Sequence, residues 1–526
     1  MCTKRNLAIV TLAVGLLLAV VNVTQAASEA EKEAAIAAGL AWLAGQQQAD
    51  GRWEYGDTGS DIGATGAALL AFIEEDHTPS SGTAYSANVA SGLNYLLSYA
   101  QSYGISPQPA GNPDTNGNGI GVKFNYTASN DGRDVYATGL ALMPIAAVGT
   151  PGAVVGIGPQ AGRTYADVIQ DTVDYLAYAQ NEGGWPRGGW RYYANYGSSD
   201  NSTSQWPTVA LLYAQAAGAT VPAFIADELV FWINYIQNPG DGGAYYDNNF
   251  GAWGSNVSRT GTLLIQQVFA GAGGSSVAAL NYLNNQWLTT ANGTWNGNFG
   301  HPYGMWAAYK GLETTIGLND ETTITNLHAN PGDVDNPDHG WNWWEDYCEY
   351  LVNAQNADGS WSGYGYWGGP LATAWYINIL AATEIPQEIE VAVDIHPTSC
   401  PNPLNVNSPG TIPVAILGTE DFPVDAIDPA SIRLMGVAPL RSSVEDVATP
   451  FEPFLGRVNE LDCTELGPDG YPDLTLKFDT QEVVKMLGEV EDRDVIVLTL
   501  TGNLKEEFGG FKIVGEDVVR IVKKGK

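Results

Sequence analysis

The stretch LVNAQNADGSW, residues 351–361, joins the end of an amphipathic helix to a glutamine, a polar turn and a tryptophan. The chain writes it again and again. AWLAGQQQADGRW closes on Trp53, DYLAYAQNEGGW on Trp185 and NYLNNQWLTTANGTW on Trp295, while NYIQNPGDGGAYY keeps the glutamine and turn and sets Tyr245 at the tryptophan position. Such self-similarity marks units that cannot bury their apolar faces alone and stack to share one core.

Each copy belongs to a pair of helices. First helices starting near Ala35, Val89, Ile169, Leu229, Val277 and Asp346 are followed by DIGATGAALLAFIE, DVYATGLALMPIA, WPTVALLYAQAAG, SRTGTLLIQQVFAG, PYGMWAAYKGLE and PLATAWYINILAATE. The second set carries Gly, Ala and Thr, which lets helices approach closely, so it is expected inside a closed ring. The wider, Leu/Tyr-bearing first helices then form the outer layer. In that arrangement the glutamine amide bonds backbone groups at the end of a neighbouring helix and the tryptophan covers the contact.

Gln-turn-Trp repeats joined to Gly/Ala/Thr helices resemble the prenyltransferase and squalene-cyclase repeats of the terpenoid-cyclase superfamily, over about residues 31–385. The resemblance implies a mainly α fold, an (α/α)6 toroid, used by cyclases, prenyltransferases, lyases and binding proteins alike. The catalytic motifs of the named enzymes are missing. There is no D-x-D-D, whose clustered carboxyls would hold one strong acid, and no D-D-x-x-D for ionising a diphosphate. Asp346 and Cys348 have the spacing of a prenyltransferase zinc pair, but no histidine occurs in the last inner helix to complete it.

The chain of 526 residues carries a net charge of -35, spread over both halves: 9 Lys/Arg against 33 Asp/Glu in residues 28–387, and 12 against 25 in residues 388–526. Such a surface repels nucleic acid. Lys4 and Arg5, an apolar run from Leu7 to Val21 and small residues before Ser28 predict a signal peptide over residues 1–27. The protein is therefore expected to be secreted or on the cell surface, with the periplasm open. All 16 tryptophans precede residue 388, after which short β-type runs alternate with Pro/Gly/Asp turns. Residues 388–526 read as an all-β sandwich, and VDIHPTSCPNPLNVNSPGTIPVAILGTEDF resembles a module of exported microbial proteins that carries no transferable chemistry. Its Cys400 and Cys463 are expected to pair, and Cys348 to be a buried free thiol.

Aligning the inner helices on Thr65, Thr138, Thr208 and Thr260 places Asp61, Asp134, Ser204 and Asn256 four residues earlier. All are N-cap types, and all would meet at one mouth of the ring. There Asp61, Asp134, Gln205, Arg259 and His301 surround an expected pocket with Trp206, Tyr303, Trp306 and Trp375. Asp61, Asp134 and His301 are the candidates for acid/base work. The loop GGWPRGGWRYYANYG borders the same mouth and offers Arg187, Trp190, Arg191 and Tyr192 to a ligand. Aromatic faces beside planar donors suit a glycan or an apolar ring system. Asp114, Asn116 and Asn118 match the start of a calcium loop, with Asp333, Asp335 and Asp338, and Asp462, Asp469 and Asp473, as further acidic sets. Three functions remain open at this point: a ligand-binding protein, an enzyme (a cyclase-like isomerase or a polysaccharide lyase), and a structural surface protein whose ring is plugged by its own tryptophans.

Overall fold

The structure is a computed structural model that describes residues 27–55, 61–125, 133–150, 152–184, 186–247, 253–291, 296–328, 342–383, 389–419, 422–451, 453–454, 456–488, 490–505 and 512–523. The expected signal peptide up to residue 26, Trp185, Trp295 and the Asp333/Asp335/Asp338 set lie outside the described residues. Among the described residues there are thirteen α-helices and eleven strands. No helix among them is long and apolar enough to cross a membrane.

Twelve helices precede residue 381. They are α1 (Glu29–Gln46), α2 (Asp61–Ile73), α3 (Ser86–Ser98), α4 (Asp134–Ala147), α5 (Tyr165–Ala179), α6 (Asn201–Ala216), α7 (Phe224–Ile236), α8 (Val257–Ala270), α9 (Ser276–Gln286), α10 (Pro302–Ile316), α11 (Trp343–Ala354) and α12 (Gly369–Leu380). Helices α2, α4, α6, α8, α10 and α12 touch in that order, and α12 returns to α2, so the contacts close on themselves. The other six pack on this inner cycle. Every residue of α2 is buried, whereas α1 buries one face and starts with a capping box between Ser28 and Glu31. Small residues make the inner contacts possible: a Cβ on Gly66 would lie 2.3 Å from the Leu140 carbonyl oxygen of α4, and one on Gly261 2.3 Å from that of Ala307 in α10.

The repeated motif is a clasp from one outer helix to the next. Gln47 Nε2 donates to the carbonyls of Gly51 in its own turn (2.9 Å) and Asn88 in α3 (2.9 Å). Gln180 does the same to Gly188 (2.8 Å) and Ile225 in α7 (3.0 Å), and Gln237 to Gly242 (2.9 Å) and Ser275 before α9 (2.8 Å). Gln355 bonds Gly359 (3.0 Å) and Ala35 of α1 (2.8 Å). The partners lie in or just before the early turns of the next outer helix. The indole N–H of Trp53, Trp190 and Trp361 donates back to Leu43, Leu176 and Leu351, near the end of the preceding outer helix.

Three register expectations are corrected. In the unit after α5 the clasping tryptophan is Trp190, because its backbone N–H reaches the inner-helix hydroxyl of Ser204 (2.9 Å), as Trp53 reaches Thr65 and Trp361 reaches Thr373. The inner alignment is therefore Thr65, Thr138, Ser204, Thr260 and Thr373, one turn earlier in α6 than Thr208. In the next unit the N–H bonded to Thr260 belongs to Ala244, so Tyr245 is one residue past the tryptophan position. After α9 the reach to the following outer helix is made by Trp287, whose indole donates to Asp346 (2.7 Å), and by Asn298, which accepts from Tyr347 (2.6 Å).

Among the described residues two units have no Gln clasp, the one after α9 and the one that ends on α4. Between α3 and α4 stands a hairpin of β1 (Ala100–Gly104) and β2 (Ile120–Phe124), and Phe124 N–H reaches Thr138 (2.9 Å) in the tryptophan's stead.

The remaining strands are β3 (Ile389–Glu390), β4 (Ala392–Ile395), β5 (Pro403–Asn405), β6 (Thr411–Leu417), β7 (Ile427–Leu434), β8 (Arg441–Glu445), β9 (Asp473–Asp479), β10 (Val495–Leu504) and β11 (Lys512–Val522), with α13 (Thr480–Met486) after β9. One sheet runs β3-β11-β10-β7 with β5 also on β11, the other β4-β6-β9-β8. Alternate residues of both sheets, among them Val414, Leu476, Leu500 and Val519, fill one core that shares no residue with that of the helices. A disulfide joins Cys400 to Cys463 with the Cα atoms 5.5 Å apart.

Candidate functional site

The starts of the inner helices carry a positional series: Asp61, Asp134, Asp200, Asn256 and His301. Asp200 accepts from Thr203 N–H (2.8 Å) and Asn256 from Arg259 N–H (2.8 Å), each satisfying a free helix-start amide. His301 does this with its ring, Nδ1 accepting from Gly304 N–H (3.1 Å). Asp61 instead accepts from Tyr55 N–H (2.9 Å) and faces Arg52, and Asp134 accepts from Asn125 (2.6 Å) and Lys123.

Asp61 and Asp134 are held by their own hairpins and neither meets His301. Burial is the larger cause that raises the Asp61 carboxyl above its ordinary range, opposed by the Tyr55 amide and Arg52. His301 is 1% exposed, and burial pushes its imidazole down to about 4. Near neutrality it is uncharged, and with Nδ1 accepting, the proton sits on Nε2. His301 is then a hydrogen-bond donor and not a base.

The expected central cavity is filled. Trp206, Trp306 and Trp375 are each at most 1% exposed and form one cluster: Trp206 stacks on Trp375 with centroids 5.7 Å apart and lies 5.1 Å from Trp306. Tyr136 and Tyr303 close around Trp206. Gln205 is buried below them with Thr262 as its partner. Trp206, Trp306 and Gln205 are therefore core residues and not ligand platforms.

Above this plug, between the starts of α6, α8, α10 and α12, lies a pocket of about 400 Å³. Its wall comprises the rings of Tyr192, Tyr246, Trp253, Tyr303 and Trp367, and the polar groups of Ser202, Asn256, Ser258, Arg259 and His301. Tyr303 stacks on Trp367 at 5.2 Å, and His301 lies 4.9 Å from the same indole, while Trp253 stands 56% exposed at the edge. No carboxylate belongs to this wall among the described residues.

The loop ahead of α6 contributes less than its sequence promised. Trp190 is wholly buried in its clasp, and Arg187 turns outward to Glu228 (3.3 Å) and the face of Phe231 on α7. Arg191 faces Asp200 (3.8 Å) and Asp247 (3.9 Å). Among the described residues of that loop only Tyr192 lines the pocket. Sequence reading also missed Tyr246, Trp253 and Trp367, whose common signal is an aromatic residue in the loop just ahead of an inner helix.

The acidic loops form closed turns. Asp114 accepts from the amides of Gly117, Asn118 and Gly119, while Asn116 and Asn118 donate their side-chain amides to Asp171, itself paired with Arg163 (2.7 Å). The loop is thereby docked on α5 through Asp171. Asp473 is buried and accepts from Gly418, Val447 and Ala448, and Asp462 from Val458 and Asn459. Among the described residues no three His, Cys, Asp or Glu side chains are grouped to hold a metal. Asp346 spends its carboxylate on Trp287 and His328, and Cys348 is a buried free thiol beside Lys32, raised far above its ordinary value by burial, so no zinc pair forms.

No family model matches the sequence, and no curated relative matches it. Among solved structures, a type II terpene cyclase from Scytonema is 14% identical, covering 67% of this chain and 98% of its own, with a TM-score of 0.40. A glycoside hydrolase family 76 mannosidase from Bacteroides thetaiotaomicron is 12% identical over 67% of this chain and 96% of its own, with a TM-score of 0.41. A protein from Actinoplanes is 16% identical over 67% of this chain and all of its own, at 0.37. Likeness at this level transfers no activity.

Proposed function

We propose that this is an exported glycan-binding protein: an (α/α)6 toroid whose mouth holds a sugar unit, followed by a β-sandwich that attaches it to a cell surface. The observation that carries the reading is the pocket wall, where five aromatic rings and several donors meet and no carboxylate stands among the described residues. Sugar rings stack on aromatic faces and take hydrogen bonds at their edges. Glycosidic hydrolysis needs a pair of carboxyls, and proton abstraction needs an acceptor. His301 is a donor and burial lifts the Tyr246 and Tyr303 phenols far above their ordinary values, which favours binding over reaction at this wall.

Titration of the mature chain with a panel of oligosaccharides, followed by tryptophan fluorescence and by mass spectrometry of the sugars, tests this. Saturable quenching that Trp367→Ala abolishes, with the sugars recovered intact, is the expected result. Conversion of a sugar would turn the reading to an enzyme on the same ring. The filled axis favours one second reading, a purely structural ring, and absence of binding by every sugar would select it.

A further inference from the structure

The charge on the pocket wall narrows the ligand class. Arg259 is the cationic side chain on that wall, in a chain where Arg52, Arg163, Arg187, Arg191, Arg457 and Arg520 all face carboxylates. Arg259 has no such partner among the described residues. Its Nη1 donates to the carbonyls of Trp253 and Gly254 (2.7 Å), which fixes the guanidinium plane, and its carbon lies 5.5 Å from the centre of the Tyr246 ring. Among the described residues Nε and Nη2 have no hydrogen-bond partner. Half-burying a guanidinium without a counterion is costly, and burial is the first cause that lowers its affinity for its proton.

Two further features point the same way. Ser202, Ser258 and Tyr303 on the wall are each the second residue of their helix, so the positive ends of α6, α8 and α10 converge on the pocket. His301 adds Nε2–H, and this side chain is buried and aimed into the cavity it lines. The neighbouring carboxylates, Asp200 and Asp247, are not on the wall and face Arg191 (3.8 and 3.9 Å), although Asp200 also accepts from Ser202 Oγ (2.7 Å) and the Asp247 charge is felt at Arg259.

Resting on the glycan reading above, we infer that the pocket is selective for a sugar bearing an anionic group, with the Arg259 fork taking a carboxylate and the Trp367 and Trp253 rings taking the pyranose. A planar carboxylate matches two parallel guanidinium N–H donors, so a uronate is preferred to a sulfated sugar, whose charge is the same but whose oxygens are tetrahedral.

The full mature chain is titrated with a tri-galacturonide, a sulfated galacto-oligosaccharide and neutral galactotriose at two salt concentrations. The uronate is expected to bind at least about tenfold more tightly than the neutral sugar, and to weaken with salt. Arg259→Gln should erase that preference, with Arg259→Lys restoring part of it. Equal binding of charged and neutral sugars by the wild-type chain overturns the inference and leaves the glycan pocket standing. Preference for the sulfated sugar overturns the carboxylate assignment. Binding of none overturns both. Because the wild-type preference and its salt dependence are read without any variant, a poorly folding Arg259→Gln would not rescue the idea.

Discussion

The side chain of Gln355 donates a 2.8 Å hydrogen bond to the carbonyl oxygen of Ala35, 320 residues earlier. The last repeat thereby clasps the first, with the same amide geometry that Gln47, Gln180 and Gln237 use between consecutive repeats. Closure of the helical ring is a repeat interaction carried once around, so its strength should be read from any equivalent clasp.

Gln180 is the most enclosed of these, 0% exposed, and its amide serves two carbonyls. Gln180→Ala should destabilise the helical region by about 2 to 4 kcal/mol, since both acceptors are left buried. Gln48→Ala, whose exposed amide reaches only Gln46, should change stability by less than about 0.5 kcal/mol. Urea denaturation followed by tryptophan fluorescence measures both. Equal effects would deny the clasp its role.

The turn that accepts the clasp demands glycine. At Gly188 φ is +91°, and a Cβ would fall 2.0 Å from the Glu228 carbonyl oxygen of α7, whereas Gly197 has φ +87° with open space around it. Gly197→Ala should cost only the left-handed backbone penalty, about 1 to 2 kcal/mol. Gly188→Ala must also push α7 away and should cost clearly more, a ranking that thermal unfolding of the two variants will decide.

At the opposite end of the inner helices Lys310 is fully buried between carboxylates. It lies 3.8 Å from Glu313 and donates to the Thr383 carbonyl, and Glu74 is held by Tyr213 (3.2 Å). Burial raises the Glu74 carboxyl, and Lys310 is the first cause opposing it. Lys310→Met should therefore lower stability at pH 7 by about 3 to 5 kcal/mol and recover part of it at pH 5, where the carboxyls can take protons. A variant as stable as wild type at pH 7 would show that the charges are solvated.

In the sheets, Asp394 is buried with neither oxygen at hydrogen-bond geometry, near Asp517, which pairs with Arg457 (2.8 Å). Burial, and then the Asp517 charge, push Asp394 up to about 7; burial pushes Asp517 up to about 6. Both folded values exceed the ordinary 3.8. Between about pH 4 and 7 the folded state therefore holds protons the unfolded chain has released, and stability falls as pH rises through that window. Peptides of β4 and β11 should exchange hydrogen faster at pH 8 than at pH 5 after correction for intrinsic rates, and Asp394→Asn should flatten the difference. A slope of the opposite sign refutes the assignment.

The His301 imidazole, lowered to about 4 by burial, favours the fold while neutral; that contribution is complete above the ordinary 6.5 and declines as pH falls towards 4. Long-range proton–nitrogen NMR should find the Nε2–H tautomer unchanged from pH 8 to 5.5, and ligand affinity at the mouth should show no histidine step in that range. An imidazolium at pH 6 would contradict the buried geometry.

Local chemistry in the sequence was enough to mark the helix pairs and the β-rich region, but not the β1–β2 hairpin or α13. Helical periodicity gave the helix pairs, Gly/Ala/Thr content separated inner from outer helices, and the change of pattern near residue 388 separated helices from strands, because each of these depends on neighbours three or four residues apart. The motif's register escaped where the chain is locally ambiguous: GGWPRGGW offers two tryptophans at one turn, and only the Ser204 hydroxyl, a contact between hairpins, selects Trp190. The site escaped for the same reason. Trp206 and Trp306 look like ligand platforms in sequence, and the closure of six helices turns them into a packed plug. Arg259 and His301 were legible as neighbours at the helix starts, but Tyr192, the segment from Tyr246 to Trp253 and Trp367 are separated by long stretches of chain, and it is packing of the loops ahead of the inner helices that brings their rings to one wall. Sequence fixes what each segment can become; which side chains share a wall is set by packing at long range.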